Sequence, residues 1–192
     1  MNAAKALLRK DLRARRRDHV AALDPTTRAL ILNRPPAPLL DLVPEGSTIG
    51  LYRAGPHEAP TEGYARFFHE RGHALALPRF AHRAATMEFA RFADPWDESA
   101  CEVGPFGLLQ PVEDAPATIP TVLIVPLLGF TARGERIGQG GGHYDRWLAD
   151  HSGTTAIGLA WDAQLVDSLP IEPHDHSMSA IVTPTRFYGP FA

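Results

Sequence analysis

Hydrophobic positions change their period along this chain. Near the start, Ala4, Leu7, Leu8 and Leu12, with Ala22 beyond them, follow the i, i+4 spacing of an amphipathic helix whose other faces are basic. The spacing predicts a first helix over about residues 3–20. Asp24-Pro25 caps a second, short helix, which stops near Arg34-Pro35-Pro36-Ala37-Pro38, a stretch too rich in proline to continue it and expected to be a stiff connector. From Ser47 the text changes to short apolar runs alternating with helical patterns. STIGLY reads as a strand, TEGYARFFHERG as a helix and HALALP as a strand. TMEFARF alternates like a half-buried strand, whereas TVLIVP is the continuous β-branched run of a strand covered on both faces. Beyond a glycine run come HYDRWLAD as a helix, TTAIGLAW as a strand, AQLVDSLP as a helix and AIVTP as a last strand.

Alternation of this kind predicts an α/β protein: one three-layer αβα domain over residues 1–192 with a largely parallel, Rossmann-like central sheet. Ligands of such sheets bind outside the carboxyl ends of the strands. The loop over residues 126–142 leaves the carboxyl end of TVLIVP and is therefore the first place to look for chemistry.

Composition narrows the picture. A chain of 192 residues with 44% hydrophobic and 21% charged residues buries a sizeable core without disulfides or structural metal. No apolar run approaches the ~18 residues needed to span a bilayer, and the first twenty residues lack the apolar core of a secretory signal. Cys101 is alone, which excludes an intramolecular disulfide and a four-cysteine metal site, so a reducing, cytoplasmic setting is the expectation. Net charge is −3 although residues 5–17 carry seven basic side chains. Positive charge is thus local, and the acidic remainder argues against a nucleic-acid partner.

The run from Gly134 to Arg146, GERIGQGGGHYDR, concentrates Gly138, Gly140, Gly141 and Gly142 within five residues. Glycines let backbone N–H groups approach an anion closely, and the helix starting at His143 would present its N-terminus to the same anion. Arg136 can add charge-assisted bonds to phosphate oxygens, and Asp145 is a hard carboxylate suited to magnesium. Donors for an anion beside a ligand for a cation point to a nucleoside triphosphate with its metal. Neither familiar nucleotide loop fits. Gly142-His143-Tyr144 stands where a P-loop needs Gly-Lys-Ser/Thr, and the dinucleotide fingerprint wants glycine at His143.

Other candidates carry less information. Lys5 and Arg9 are four apart on the first helix and could grip a phosphate chain, although most charged helix stripes are simply solvated. Glu58 lies in the loop GPHEAPTEG after the first strand. Phe80, Phe89, Phe106 and Met87 could form an apolar cleft for a planar ring, with core packing the commoner fate of such residues. His174, Asp175 and His176 do not match the spacing of a usual zinc site, and no serine or cysteine stands in a nucleophile motif such as G-x-S-x-G.

The ordered motifs resemble those of the 5-formyltetrahydrofolate cyclo-ligases, also called 5,10-methenyltetrahydrofolate synthetases. The chain reads VPLLGFTARGERIGQGGGHYDRWL from Val125, similar to that family's VPG-x-A-F-D followed by G-x-R-L-G-x-G-G-G-Y-Y-D-R. The likeness extends over nearly the whole chain: Lys5 and Arg9, the Glu58 loop, Leu77-Pro78, Met87, FGLLQP from Phe106, Leu169-Pro170, and His174-Asp175. It implies use of Mg-ATP to close 5-formyltetrahydrofolate into 5,10-methenyltetrahydrofolate, with release of ADP and phosphate. By the same resemblance Lys5, Arg9, Arg136, Gly138, Gln139, Gly140, Gly141, Gly142, His143 and Tyr144 would contact ATP, with Arg136 and Tyr144 the catalytic pair. Arg53, Glu58, Met87, Phe106, Gln139 and His143 would contact the folate, Glu58 at its pterin, and Asp145 would hold magnesium.

Three positions depart from the pattern. Thr131 replaces a usual aspartate, His143 replaces the first tyrosine, and Ser179 stands where a second aspartate is often associated with the metal. They leave an alternative open, a relative that binds nucleotide or folate without turnover. A single carboxylate can suffice for magnesium, which keeps several waters.

Overall fold

The computed structural model describes residues 3–191. In chain order the elements are α1 (Ala3–Ala22), α2 (Pro25–Leu30), α3 (Ala37–Leu40), β1 (Thr48–Gly50), α4 (Glu62–Glu70), β2 (Ala74–Arg79), β3 (Glu88–Phe92), β4 (Cys101–Val103) and β5 (Leu109–Pro111). They continue with β6 (Val122–Pro126), β7 (Gly129–Phe130), β8 (Arg136–Ile137), α5 (His143–Asp150), β9 (Thr155–Leu159), a one-turn 3-10 helix Asp162–Gln164, β10 (Ala180–Val182) and β11 (Phe187–Tyr188). No helix among the described residues is long and apolar enough to cross a membrane.

The main sheet has the order β11-β10-β9-β6-β1-β2-β3. Its five inner strands are parallel, and β3 and β11 close the two edges antiparallel. As the TVLIVP run predicts, β6 lies at the centre, with Ile124 opposite Ile157 of β9 and Val122 opposite Ile49 of β1. Strand alternation divides the apolar residues between two faces. Val122 and Ile124 join Leu75, Leu77, Ile157 and Leu159 on the face covered by Leu39 of α3 and Tyr64, Phe67 and Phe68 of α4. Leu123 and Val125 point the other way, against Trp147 and Leu148 of α5. The three-layer α/β architecture follows from that two-sided burial.

Several local expectations need correction. The first helix runs on to Ala22, and the second ends at Leu30, where Ile31 turns extended, short of the prolines. The supposed connector contains α3, because Pro38 stands in the first turn, where a missing N–H costs nothing. AQLVDSLP is not a helix beyond Gln164. There the Gln164 amide is drawn into the core, accepting from the Trp161 N–H at 2.8 Å and donating to the Leu127 carbonyl at 2.6 Å. The chain then runs alongside β7, with the Val166 N–H on the Phe130 carbonyl, and Val166 and Leu169 pack against Leu12, Leu128 and Ile137. Tertiary pairing overrides helical periodicity.

Two hairpins lie outside the elements that the hydrophobic pattern predicts. β4–β5 follows β3, and β7–β8 folds within the long loop after β6, pairing Phe130 with Arg136. The second hairpin aims the glycine run back across the carboxyl ends of the parallel strands.

Candidate functional site

Loop chemistry begins with backbone conformation. Gly140 has φ 108° and Gly142 has φ 64°, values that side-chain-bearing residues rarely adopt. Gly142 is the N-cap of α5, and no side chain caps that helix end. The first N–H groups of α5 are therefore left for an anion, the arrangement expected of a phosphate seat.

Basic residues of α1 close over this loop. The Arg9 Nε donates to the Gly138 carbonyl at 3.0 Å, and Arg13 donates to the Gln139 carbonyl at 2.8 Å. Arg16, further along the same face, reaches to 3.6 Å from Glu58 Oε1. Arg13 and Arg16 were missed in the sequence, although positions 5, 9, 13 and 16 continue one stripe at helical spacing. Glu58 is the junction. It accepts from the Gly55 N–H at 2.8 Å and from the Gln139 Nε2 at 3.1 Å, which ties the loop after β1 to the glycine run.

Arg136 is buried and donates to Asp145 at 2.6 Å, while the His176 N–H reaches the same carboxylate oxygen at 3.3 Å. Burial pulls the Arg136 pKa down and Asp145 opposes that pull. Lys5 is buried too, with its ammonium 2.6 Å from Glu172 and 2.5 Å from Asp175. Burial alone would lower its pKa, but the hydrogen bonds and charges of Asp175 and Glu172 prevail and hold it above the ordinary value. Donor atoms of Glu172, His174 and Asp175 lie within 4.8 Å of one another, so the segment set aside on spacing is an acidic group gathered around Lys5. Linear spacing could not show it, since Lys5 and Asp175 are 170 residues apart.

Beside the phosphate-type seat lies a cavity of about 530 Å³, of a size that holds a folded cofactor-like molecule. Met87, Phe80 and Phe106 line its apolar side, with Glu58, Arg53 and Tyr144 among its polar walls. Arg53 is tied to Glu98 at 2.8 Å and lies over the Phe92 ring. Phe80 meets both the Phe106 and the His143 ring at 4.9 Å between centroids, and all three rings line the cavity. Phe89 does not belong to this cleft; it is buried in the core against Trp147. Burial raises the Tyr144 pKa strongly, with the Glu58 charge adding to it, so the phenol stays protonated.

The three departures acquire physical settings. His143 is held neutral at pH 7, because burial and the neighbouring Arg146 guanidinium lower its pKa below the ordinary 6.5. Its Nδ1 accepts from Arg146 at 3.2 Å. Thr131 donates its hydroxyl to the Glu135 carboxylate at 2.7 Å, so an acid still stands at that turn, supplied by a different residue. Ser179 lies at the amino-terminal end of β10, its N–H on the Ala156 carbonyl and its own carbonyl accepting from Phe191. Asp175 precedes His176, whose N–H reaches Asp145.

A family model described as the 5-formyltetrahydrofolate cyclo-ligase family matches residues 1–184. A 5-formyltetrahydrofolate cyclo-ligase of Escherichia coli (strain K12) is 46% identical over 69 residues, 35% of this chain and 38% of that one. Its counterpart in Mycolicibacterium smegmatis is 39% identical over 90 residues, 42% of this chain and 44% of that one. The matched stretches thus span about two-fifths of these curated relatives' length. The NMR structure of an Aquifex aeolicus 5,10-methenyltetrahydrofolate synthetase superposes with a TM-score of 0.75 at 23% identity, covering 97% of this chain and 92% of that chain, which carries the fold. A family match over nearly the whole sequence and a shared fold lead to one conclusion: the chain belongs to the 5-formyltetrahydrofolate cyclo-ligase family.

Proposed function

We propose that this protein acts in a reducing, cytoplasmic setting as a single-domain enzyme that uses ATP to cyclise 5-formyltetrahydrofolate to 5,10-methenyltetrahydrofolate. The observation that carries the reading is the Glu58–Gln139 hydrogen bond. It joins a carboxylate suited to the pterin's N–H edge to a loop suited to phosphate, so the two substrates would meet where that bond lies.

The formyl oxygen attacks the γ-phosphate, giving an imidate-like phosphate and ADP; N10 then attacks the activated carbon and phosphate leaves. Such chemistry asks chiefly for positioning and charge stabilisation. The glycine loop and the uncapped start of α5 would receive phosphate oxygens, joined by Arg9 and Arg136. Lys5 would exchange its two carboxylates for phosphate oxygens. Tyr144, kept protonated by burial, can donate a hydrogen bond but cannot act as a base at neutral pH. Glu58 and Arg53 would hold the folate, with Met87, Phe106 and the neutral His143 against its ring.

The carboxylate of Asp145 suits a hard cation, and magnesium held by it would neutralise charge on the phosphates. An Asp145→Asn enzyme would then need more magnesium. Purified protein incubated with 5-formyltetrahydrofolate and Mg-ATP should develop the absorbance of the methenyl product. Binding of both ligands without product would leave the turnover-deficient reading; binding of neither would remove both.

A further inference from the structure

Arg16 is anomalous among the basic residues of α1. Lys5, Arg9 and Arg13 each make hydrogen bonds to the protein, whereas the Arg16 Nε and Nη1 are buried with no hydrogen-bond partner. Its side chain is only 9% exposed, and its ion pair to Glu58 is loose at 3.6 Å. Burying a guanidinium with open donors is unfavourable, and burial lowers its pKa. The side chain nevertheless lines the cavity beside Glu58. Donors kept dry and unused at the wall of a cavity are what a ligand acceptor completes.

We propose that Arg16 is a substrate-binding residue that donates to the C4 carbonyl of the pterin ring. The assignment rests on the folate reading above and follows from ring chemistry. A 2-amino-4-oxo pteridine presents the 2-amino group, N3–H and the C4 carbonyl in sequence along one edge. Glu58 can accept from the first two, since a carboxylate has capacity beyond the Gly55 and Gln139 donors it already holds. The next atom along that edge is an acceptor and needs a donor adjacent to Glu58. Arg16 stands there. Together the two side chains read an N–H, N–H, C=O pattern, which a ring lacking the carbonyl does not satisfy.

The test compares wild type, Arg16→Met and Arg16→Lys. Methionine keeps an unbranched stem and removes the buried charge, so the fold should persist; lysine keeps the charge and loses the fork. Equilibrium binding would be measured for 5-formyltetrahydrofolate, for the 5-formyltetrahydropterin fragment lacking the aminobenzoylglutamate tail, and for Mg-ATP. Arg16→Met should weaken both the folate and the fragment by about 10- to 100-fold, with Mg-ATP binding unchanged and the lysine variant in between. In wild type the ¹³C4 resonance of labelled ligand should move downfield on binding, and Arg16→Met should abolish that shift. A loss seen with the full folate but not with the fragment would assign Arg16 to the tail and overturn the proposal. A ¹³C4 shift unchanged in Arg16→Met, or a loss of Mg-ATP binding, would overturn it equally. If wild type binds neither folate nor fragment, the functional reading itself fails.

Discussion

Asp145 and Arg136 form a pair whose two halves should not be equally expendable. Arg136 has a side chain 3% exposed and a buried Nε without a partner, whereas Asp145 is 19% exposed and also accepts the His176 N–H. Asp145→Asn therefore leaves a dry cation facing a neutral amide. Stranding one charge of a buried pair costs about 3–5 kcal/mol, and the acceptor retained by the asparagine reduces this to roughly 2–3 kcal/mol. In a chain of this size that lowers Tm by roughly 5–10 °C. Arg136→Met removes the cation and leaves Asp145 reachable by water and still bonded to His176, so the expected loss is about 1 kcal/mol. With the cation gone, adding Asp145→Asn should cost little more, and the coupling in the double-mutant cycle should be about 2 kcal/mol. Urea unfolding of the four proteins at pH 7, without nucleotide or magnesium, measures each corner. Additivity within about 0.4 kcal/mol, or a larger loss for Arg136→Met than for Asp145→Asn, would refute the reasoning.

The Lys5 cluster predicts a pH signature. Its carboxylates are held below their ordinary range: at Glu172 by the Lys5 hydrogen bond, and at Asp175 by Lys5 and the Glu172 N–H against an opposing effect of burial. Their contribution is present above about pH 4 and is lost as pH falls through the depressed folded values. Wild type should exceed Lys5→Met in urea midpoint at pH 7, with the gap closing as pH falls below the ordinary carboxylate range; a constant gap would contradict the linkage. Thr131→Asp should destabilise by about 2 kcal/mol, because it sets a second carboxylate against Glu135, and Glu135→Gln should restore most of the loss in calorimetry. At Gly63 an added Cβ would lie 2.5 Å from the Asn33 backbone, so Gly63→Ala should cost about 1–3 kcal/mol despite better helix propensity. Gly153→Ala, in open space, should be neutral or slightly stabilising in the same melt.

Long-period information survived translation from sequence to structure better than local detail. TVLIVP announces β6 because a strand covered on both faces has no polar positions to alternate, and α5 announces itself by a helical stripe directly after glycines. AQLVDSLP misleads because its helical spacing is brief, and the Gln164 side chain finds buried partners on Trp161 and Leu127 that no local rule contains. At the site, the Gly138–Tyr144 loop and Glu58 are legible as a motif. Arg16 and the Glu172–Asp175 pair are not, since their meaning comes from partners 42 and 167 or more residues away, brought close only by the sheet.

The helix α1 is 20 residues long and continuous, yet its four inward charges seize four separate places: Asp175, Gly138, Gln139 and Glu58. From Lys5 to Arg16 is about 16 Å of rod at 1.5 Å per residue. A rod does not stretch. Under the proposed function, a lengthwise shift of this rod as phosphate oxygens replace the Lys5 carboxylates would reach the Arg16 guanidinium beside the ring cavity. Occupancy at one end would then be felt as a displacement at the other, and by thermodynamic reciprocity such a coupling would change the two ligands' affinities by the same factor.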